Sequence, residues 1–221
     1  MNIHEAIKER HSVRSYLDKP IPENIIAELQ SEIQKCNEEG NLHIQLITNE
    51  KEAFTGILAR YGSFKGVQNY LALVGKKSND YEEKLGYYGE KLVLLAQTLG
   101  LNTCWVAGTF SKRKAKIKID SGEKFVCVIA LGYGATQGVQ HKNKPMEQLC
   151  RVTGEMPDWF RAGMEAVMLA PTAINQQKFL FTLSGNDVKT KALTGPHSKT
   201  DLGIAKYHFE IGAGKENFNW V

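Results

Sequence analysis

The sequence predicts an α+β fold in which helices flank a central mixed, mostly antiparallel sheet. Two observations carry that prediction. Strand-type runs occur in two kinds: Leu42 to Ile47 alternates apolar and polar residues, whereas Tyr70 to Val74 and Phe125 to Leu131 are continuously apolar. Segments with apolar residues at helical spacing lie among them, the clearest running from Asp80 to Leu99. Neither a linker nor a simple repeat interrupts the 221 residues, so a single domain over 1–221 is expected.

From the N-terminus, Ile3, Ala6 and Ile7 keep helical spacing over residues 1–10. Pro20 and Pro22 punctuate the chain, and Pro22 can start the next helix, whose apolar positions are Ile25, Ile26, Leu29 and Ile33 and whose stop is Gly40. A half-buried strand follows at 42–47, then a weaker helix at 50–59 and a strand at 70–74 covered on both faces. In the next helix Asp80 and Glu83 are spaced for a capping box. Leu85, Tyr88, Leu92, Leu95 and Leu99 form its apolar face, and Gly100 is a candidate left-handed stop. Leu101 to Val106 and Phe125 to Leu131 read as strands, the second ending at the sharp Gly132-Tyr133-Gly134 turn. The basic stretch 112–118 reads as a solvated face. A helix from Pro157 through Phe160, Met164, Val167 and Met168 to Pro171, a strand from Lys178 to Leu183 and a last helix at 201–211 complete the chain, with the terminal aromatics docking the tail. A helix followed by a strand occurs at 23–47 and again at 157–183.

Composition is that of an ordinary globular protein, with 42% hydrophobic and 24% charged residues. The formal charge of +4 is scattered, and no aromatics interleave with the basic residues, which argues against nucleic acid as a partner. No apolar run is long enough to span a bilayer, and Met1 to Glu5 do not begin a signal peptide. Cys36, Cys104, Cys127 and Cys150 show no metal-ligand spacing, and Cys104 and Cys127 lie in apolar runs. Buried free thiols and a cytoplasmic location are expected.

Three segments have chemistry to offer. Arg10-His11-Ser12-Val13-Arg14-Ser15 places two guanidiniums among hydroxyls, a donor set suited to phosphate; the alternative is a solvated, charged helix end. Asn175 and Gln177 sit in a loop stiffened by Pro171, where two amides can address a planar heterocycle or simply cap the local backbone. After Gly132-Tyr133-Gly134 the chain releases His141-Lys142-Asn143-Lys144. Its two ammonium groups can join the arginines around a phosphate, or move freely in solvent.

These residues carry a resemblance. Arg10 to Tyr16 looks like the N-terminal flavin-mononucleotide signature of the nitroreductase family. Ala170-Pro171-Thr172-Ala173-Ile174-Asn175-Gln176-Gln177 resembles that family's Ala-Pro-Ser/Thr-x-x-Asn-x-Gln segment. Leu99 to Gly108 is similar to its Gly-Leu-x-Thr/Ser-x-Trp region, and Leu131 to Gly134 to its Gly-Tyr turn. The order differs from most of the family, where the Ala-Pro-Ser segment follows the first long helix; here it lies near the C-terminus.

The resemblance implies a nitroreductase-like domain that binds FMN. Arg10, His11, Ser12 and Arg14 would hold the phosphate, ribityl chain and one flavin edge. Asn175 and Gln177 would meet the ring, the backbone of Ala107 and Gly108 would approach flavin N5, and Lys142 and Lys144 would reach the phosphate. Tyr87, Tyr88 and Glu90 fall in a region resembling the nicotinamide side of family pockets. Glu90 is therefore a candidate catalytic acid, set against the commoner role of a solvent-facing helical carboxylate. The implied activity takes hydride from NAD(P)H and reduces a small electron-poor acceptor such as a nitroaromatic or quinone. A homodimer with flavin between subunits is implied as well. The competing readings are a flavin carrier or sensor with little turnover, and a phosphate- or nucleotide-binding regulatory module without flavin.

Overall fold

A computed structural model describes residues 1–221. Its helices are α1 (Ile3–Glu9), α2 (Glu23–Gly40), α3 (Ile57–Tyr61), α4 (Tyr81–Thr98), α5 (Asp158–Val167) and α6 (Ser198–Ala213). Its strands are β1 (Gln45–Ile47), β2 (Asn69–Lys76), β3 (Asn102–Val106), β4 (Glu123–Gly132), β5 (Cys150–Val152), β6 (Phe179–Ser184), β7 (Asp187–Ala192) and β8 (Asn219–Trp220). The α+β class is as the sequence predicts. The strands divide, however, between two four-stranded sheets, ordered β1-β2-β4-β3 and β5-β6-β7-β8. Every ladder of the first sheet is antiparallel, while β5 and β8 join the second in parallel with their neighbours.

The continuous apolar runs at β2 and β4 reflect burial on both faces. Leu71, Leu73, Cys127 and Ile129 pack toward α2 and α4, whereas Tyr70, Ala72, Val128 and Ala130 pack against Val13, Tyr16, Phe54 and Phe64. Alternate residues of one strand thus serve two cores. The second sheet shares a core with α5 and α6, where Phe160, Phe179, Phe181 and Phe209 meet Phe218 of the tail. The tail aromatics dock as expected, with Phe218 edge-on to Phe209 at a ring separation of 5.1 Å.

Several local signals resolve differently. Residues 50–59 form a short 3-10 turn at Glu52–Phe54 and then α3, because Thr55 and Gly56 intervene. Asp80 does not cap α4; its carboxylate accepts from the Ser78 hydroxyl and pairs with Lys84. The capping box is instead at α1, between Asn2 and Glu5. Gly100 is left-handed as anticipated, with φ of 79°.

The helix–strand echo extends further than its sequence trace. Apart from α3, which lies between β1 and β2, both α2-β1-β2-α4-β3 and α5-β6-β7-α6-β8 run helix, antiparallel strand pair, helix, strand. The two long helices α4 and α6 cross at Leu85-Gly86 and Leu202-Gly203. A Cβ on Gly86 would collide with the Thr200 carbonyl, and one on Gly203 with the Glu83 carbonyl. Each glycine thus meets the backbone three residues before the other. Such reciprocity is the mark of a two-fold contact, here formed within one chain.

Candidate functional site

The chain after α1 is laid beside β3 as an extended strap. Ser12 bridges in parallel to Thr103, the Val13 amide donates to the Thr103 carbonyl at 3.0 Å, and the Tyr16 amide donates to Lys65 at 2.9 Å. Extended backbone turns successive side chains to opposite sides. Val13 therefore enters the core, while Arg10, Ser12 and Arg14 line a cavity of about 880 Å³. That volume is in the range of small-molecule and cofactor sites. The end of β3 and the residues after it, Trp105 to Thr109, form the adjoining wall, and Tyr61 to Phe64 another.

The opposite wall comes from the second half of the chain: Pro171 to Asn175 in the α5–β6 loop, and Pro196, His197, Thr200, Asp201 and Ile204 around the start of α6. Asp201 pins that loop. One carboxylate oxygen accepts the Ala173 amide at 2.9 Å, and the other accepts the Gln176 side-chain amide at 2.7 Å. Burial pushes the Asp201 carboxyl above its ordinary range, and the hydrogen bonds from Gln176 and Ala173 oppose that shift. Ile174, Asn175 and Gln177 all adopt left-handed backbone, with φ of 47°, 55° and 46°. For a β-branched residue such as Ile174 this is a strained conformation, and strain of this kind gathers at functional sites.

Of the residues named from sequence, Arg10, Ser12, Arg14, Ala107, Gly108 and Asn175 line the same cavity. His11, Lys142, Lys144 and Gln177 do not. Gln177 is buried, donates to the Lys142 carbonyl and to Asn175, and accepts from the Lys144 amide. Lys144 Nζ donates to the carbonyls of Gln176 and Gln177, and the Asn175 side chain donates to the Lys142 carbonyl. The two amides and the lysine loop thus brace one another, and the Lys144 ammonium is engaged with that loop's carbonyls.

Glu90 requires a correction. It is fully buried, not solvent-facing, because α6 crosses α4 directly over it. Its carboxylate accepts from Trp105 Nε1 and meets His208 Nε2, both at 2.9 Å, and lies 4.0 Å from Arg10 Nε. It does not line the cavity.

Arg10 itself is 3% exposed, and its Nε and Nη1 have no hydrogen-bond partner. Burial pulls its guanidinium below the ordinary value, against the opposing pull of Glu90. Thr200 Oγ1, on the facing wall, is likewise buried and unpartnered. Sequence reasoning passed over Thr200, Asp201 and His208, whose positions become meaningful when α6 is placed. It also assigned no role to His141, which lines the cavity with Nε2 on the Met168 carbonyl at 3.0 Å. Burial pushes that imidazole below its ordinary value. At the mouth stand Tyr61, Val139 and Ile174, apolar residues that are 86%, 83% and 88% exposed.

The comparisons with known proteins agree with this architecture. A family model described as "Putative TM nitroreductase" matches residues 2–213. A structure described as a "putative nitroreductase" from Thermotoga maritima is 25% identical, covering 98% of this chain and 85% of its own, with a TM-score of 0.66. A "putative nitroreductase in complex with FMN" from Desulfovibrio desulfuricans is 18% identical over 71% of this chain and 99% of its own, with a TM-score of 0.55. A nitroreductase family protein from Streptococcus pneumoniae is 14% identical over 66% and 98%, with a TM-score of 0.52. The latter two likenesses speak to the fold alone. No curated protein matches. With the family model spanning nearly the whole chain, the protein belongs to the TM nitroreductase family.

Proposed function

We propose that the chain, as one unit over 1–221, is an FMN-dependent oxidoreductase that takes reducing equivalents from NAD(P)H and delivers them to a small electron-poor acceptor. The observation that carries this reading is the convergence of Arg10, Ser12 and Arg14 from the strap and Asn175 from the facing loop on the wall of one 880 Å³ cavity, a donor set suited to an anionic, planar cofactor. A flavin brings acceptors for these donors on its ring carbonyls and its phosphate.

When bound, FMN supplies the hydride chemistry. The chain supplies the rest. Arg10 and Arg14 offer positive charge, Ser12 offers a hydroxyl, and the exposed turn at Ala107-Gly108 permits close backbone approach. The loop at 171–175 closes the opposite side under the hold of Asp201. The exposed apolar rim of Tyr61, Val139 and Ile174 suits a planar aromatic acceptor. Both walls arise from one chain, so this reading places one flavin site in each chain. The expected homodimer would be added around that site and is not needed to complete it. Four buried free thiols suit a reducing cytoplasm.

The test is direct. Purified protein should hold FMN in a ratio near one per chain, and anaerobic NADH or NADPH should bleach its visible absorbance. Bound flavin that NAD(P)H leaves oxidised would favour a carrier or sensor. A protein that stays colourless after soaking with FMN would favour a phosphate- or nucleotide-binding module.

A further inference from the structure

The most unusual feature beyond the cavity is the buried polar cluster behind it. His208 Nδ1 lies 3.0 Å from the Ala166 carbonyl and Nε2 lies 2.9 Å from the Glu90 carboxylate. A carbonyl oxygen can only accept, so Nδ1 must carry a proton and donate. The remaining contact brings Nε2 against a carboxylate. Two bare lone pairs cannot sit at that distance between fully buried side chains, so a proton lies on one of them. The pair is therefore either imidazolium with carboxylate or imidazole with carboxylic acid, and both arrangements are neutral overall. With Arg10 included, the cluster bears one net positive charge. The other ionisable groups facing it add none. Burial holds the Tyr207 phenol neutral and pushes the His141 imidazole down, and it also pushes up the Cys104 thiol near Arg10.

Glu90 and His208 do not line the cavity, yet Trp105, which Glu90 hydrogen-bonds, and Arg10, whose charge it attracts from 4.0 Å, both do. We propose that Glu90 and His208 are positioning residues which, by sharing one proton, fix Arg10 and Trp105 on the cavity wall and leave a net charge of +1 for an anionic cofactor. A plain carboxylate in place of the pair would orient Arg10 equally well but would cancel its charge. The shared proton allows the hold without the cancellation. This inference rests on the FMN reading for its ligand, but its central claim concerns the protonation of the chain itself.

The charge count makes the test asymmetric. His208→Gln keeps a donor near the Nε2 position and removes the extra proton, so the cluster falls to zero net charge. Glu90→Gln leaves neutral His208, accepts from Trp105 and donates to His208 Nε2, so the cluster stays at +1. The double variant also carries +1. Titration of each protein with FMN, read by quenching of flavin fluorescence, should give roughly tenfold weaker binding in His208→Gln. That is the effect of one charge felt at about 10 Å through an effective dielectric near 20. Glu90→Gln keeps the charge but loses the carboxylate beside Arg10, so its binding should weaken less than that of His208→Gln, and adding Glu90→Gln to His208→Gln should recover the part of the loss that is due to charge.

Equal weakening in all three variants, or loss in Glu90→Gln with none in His208→Gln, would overturn the proposal. Independently of any variant's folding, ¹⁵N and ¹³C resonances of the wild-type protein at pH 7 should show a proton on His208 Nε2 or on Glu90. A bare Nε2 beside an ionised Glu90 would overturn it outright. Should wild-type protein bind no FMN, the functional reading fails, and the resonances still decide the protonation claim.

Discussion

Replacing Ile174 with asparagine should make the protein more stable, although it exchanges a large apolar residue for a polar one. Ile174 sits at φ 47° and ψ 26° in the loop facing the strap. An L-residue in this left-handed region is disfavoured by about 1–2 kcal/mol, more so when β-branched, and asparagine tolerates it well. The opposing loss is small. The side chain is 88% exposed, so about a tenth of a full isoleucine burial of roughly 1.5–3 kcal/mol is forfeited, or about 0.2–0.3 kcal/mol. The net gain is about 1 kcal/mol. For a chain of this length that corresponds to a rise in Tm of about 2–4 °C. Urea unfolding of wild type and Ile174→Asn, both without added flavin, measures the difference directly. A variant less stable by 1 kcal/mol would mean that the side chain packs against something and that the backbone strain is not stored where we place it. Ile174 is retained, on this reasoning, for the apolar rim it gives the cavity, a trade of stability against function.

Further outcomes follow from the same geometry. Arg10→Ala should weaken FMN binding by about 3 kcal/mol and Arg14→Ala by about 1.5 kcal/mol, since Arg10 is buried and Arg14 exposed; flavin titration showing wild-type affinity in both would discard their role. Asp201 introduces a pH dependence. Burial raises its carboxyl above the ordinary 3.8, so between that value and the folded-state one the native protein holds more protons than the unfolded chain, and stability falls as pH rises through the window. Asp201→Asn should flatten that slope in urea midpoints recorded from pH 3 upward, and parallel curves for the two proteins would count against it. Gly203→Ala forces a methyl group onto the Glu83 carbonyl and should destabilise the fold by about 3 kcal/mol, whereas an unchanged unfolding midpoint would mean the two helices separate at little cost. All four thiols are buried, and burial pushes Cys36 up to about 12, so a thiol reagent should modify none of them until the protein unfolds.

Much of the site was legible because its signals are local. The strap at 10–14 declares itself by residue type, and extended backbone alone explains why its even-numbered members share the cavity while Val13 enters the core. Helical spacing located α2, α4 and α5, and continuous apolar runs located β2 and β4 as strands covered twice. The terminal-glycine rule found the left-handed Gly100. These are properties of a few consecutive residues, and no distant contact can change them.

What remained hidden depends on how remote pieces meet. No periodicity distinguishes Glu90 on a solvent face from Glu90 on a buried one, since the deciding element, α6, lies more than a hundred residues later and approaches through Gly203. The division of strands into two sheets turns on β5 and β8, three and two residues long, too short to carry a pattern. Lys142 and Lys144 were placed by charge, but hydrogen bonding to Asn175, Gln176 and Gln177 holds their loop instead. Sequence by itself thus determined which residues could grip an anion and how each short segment folds. Tertiary structure alone decided which of them face the same cavity, because burial and pairing are set by partners that the local chain does not contain.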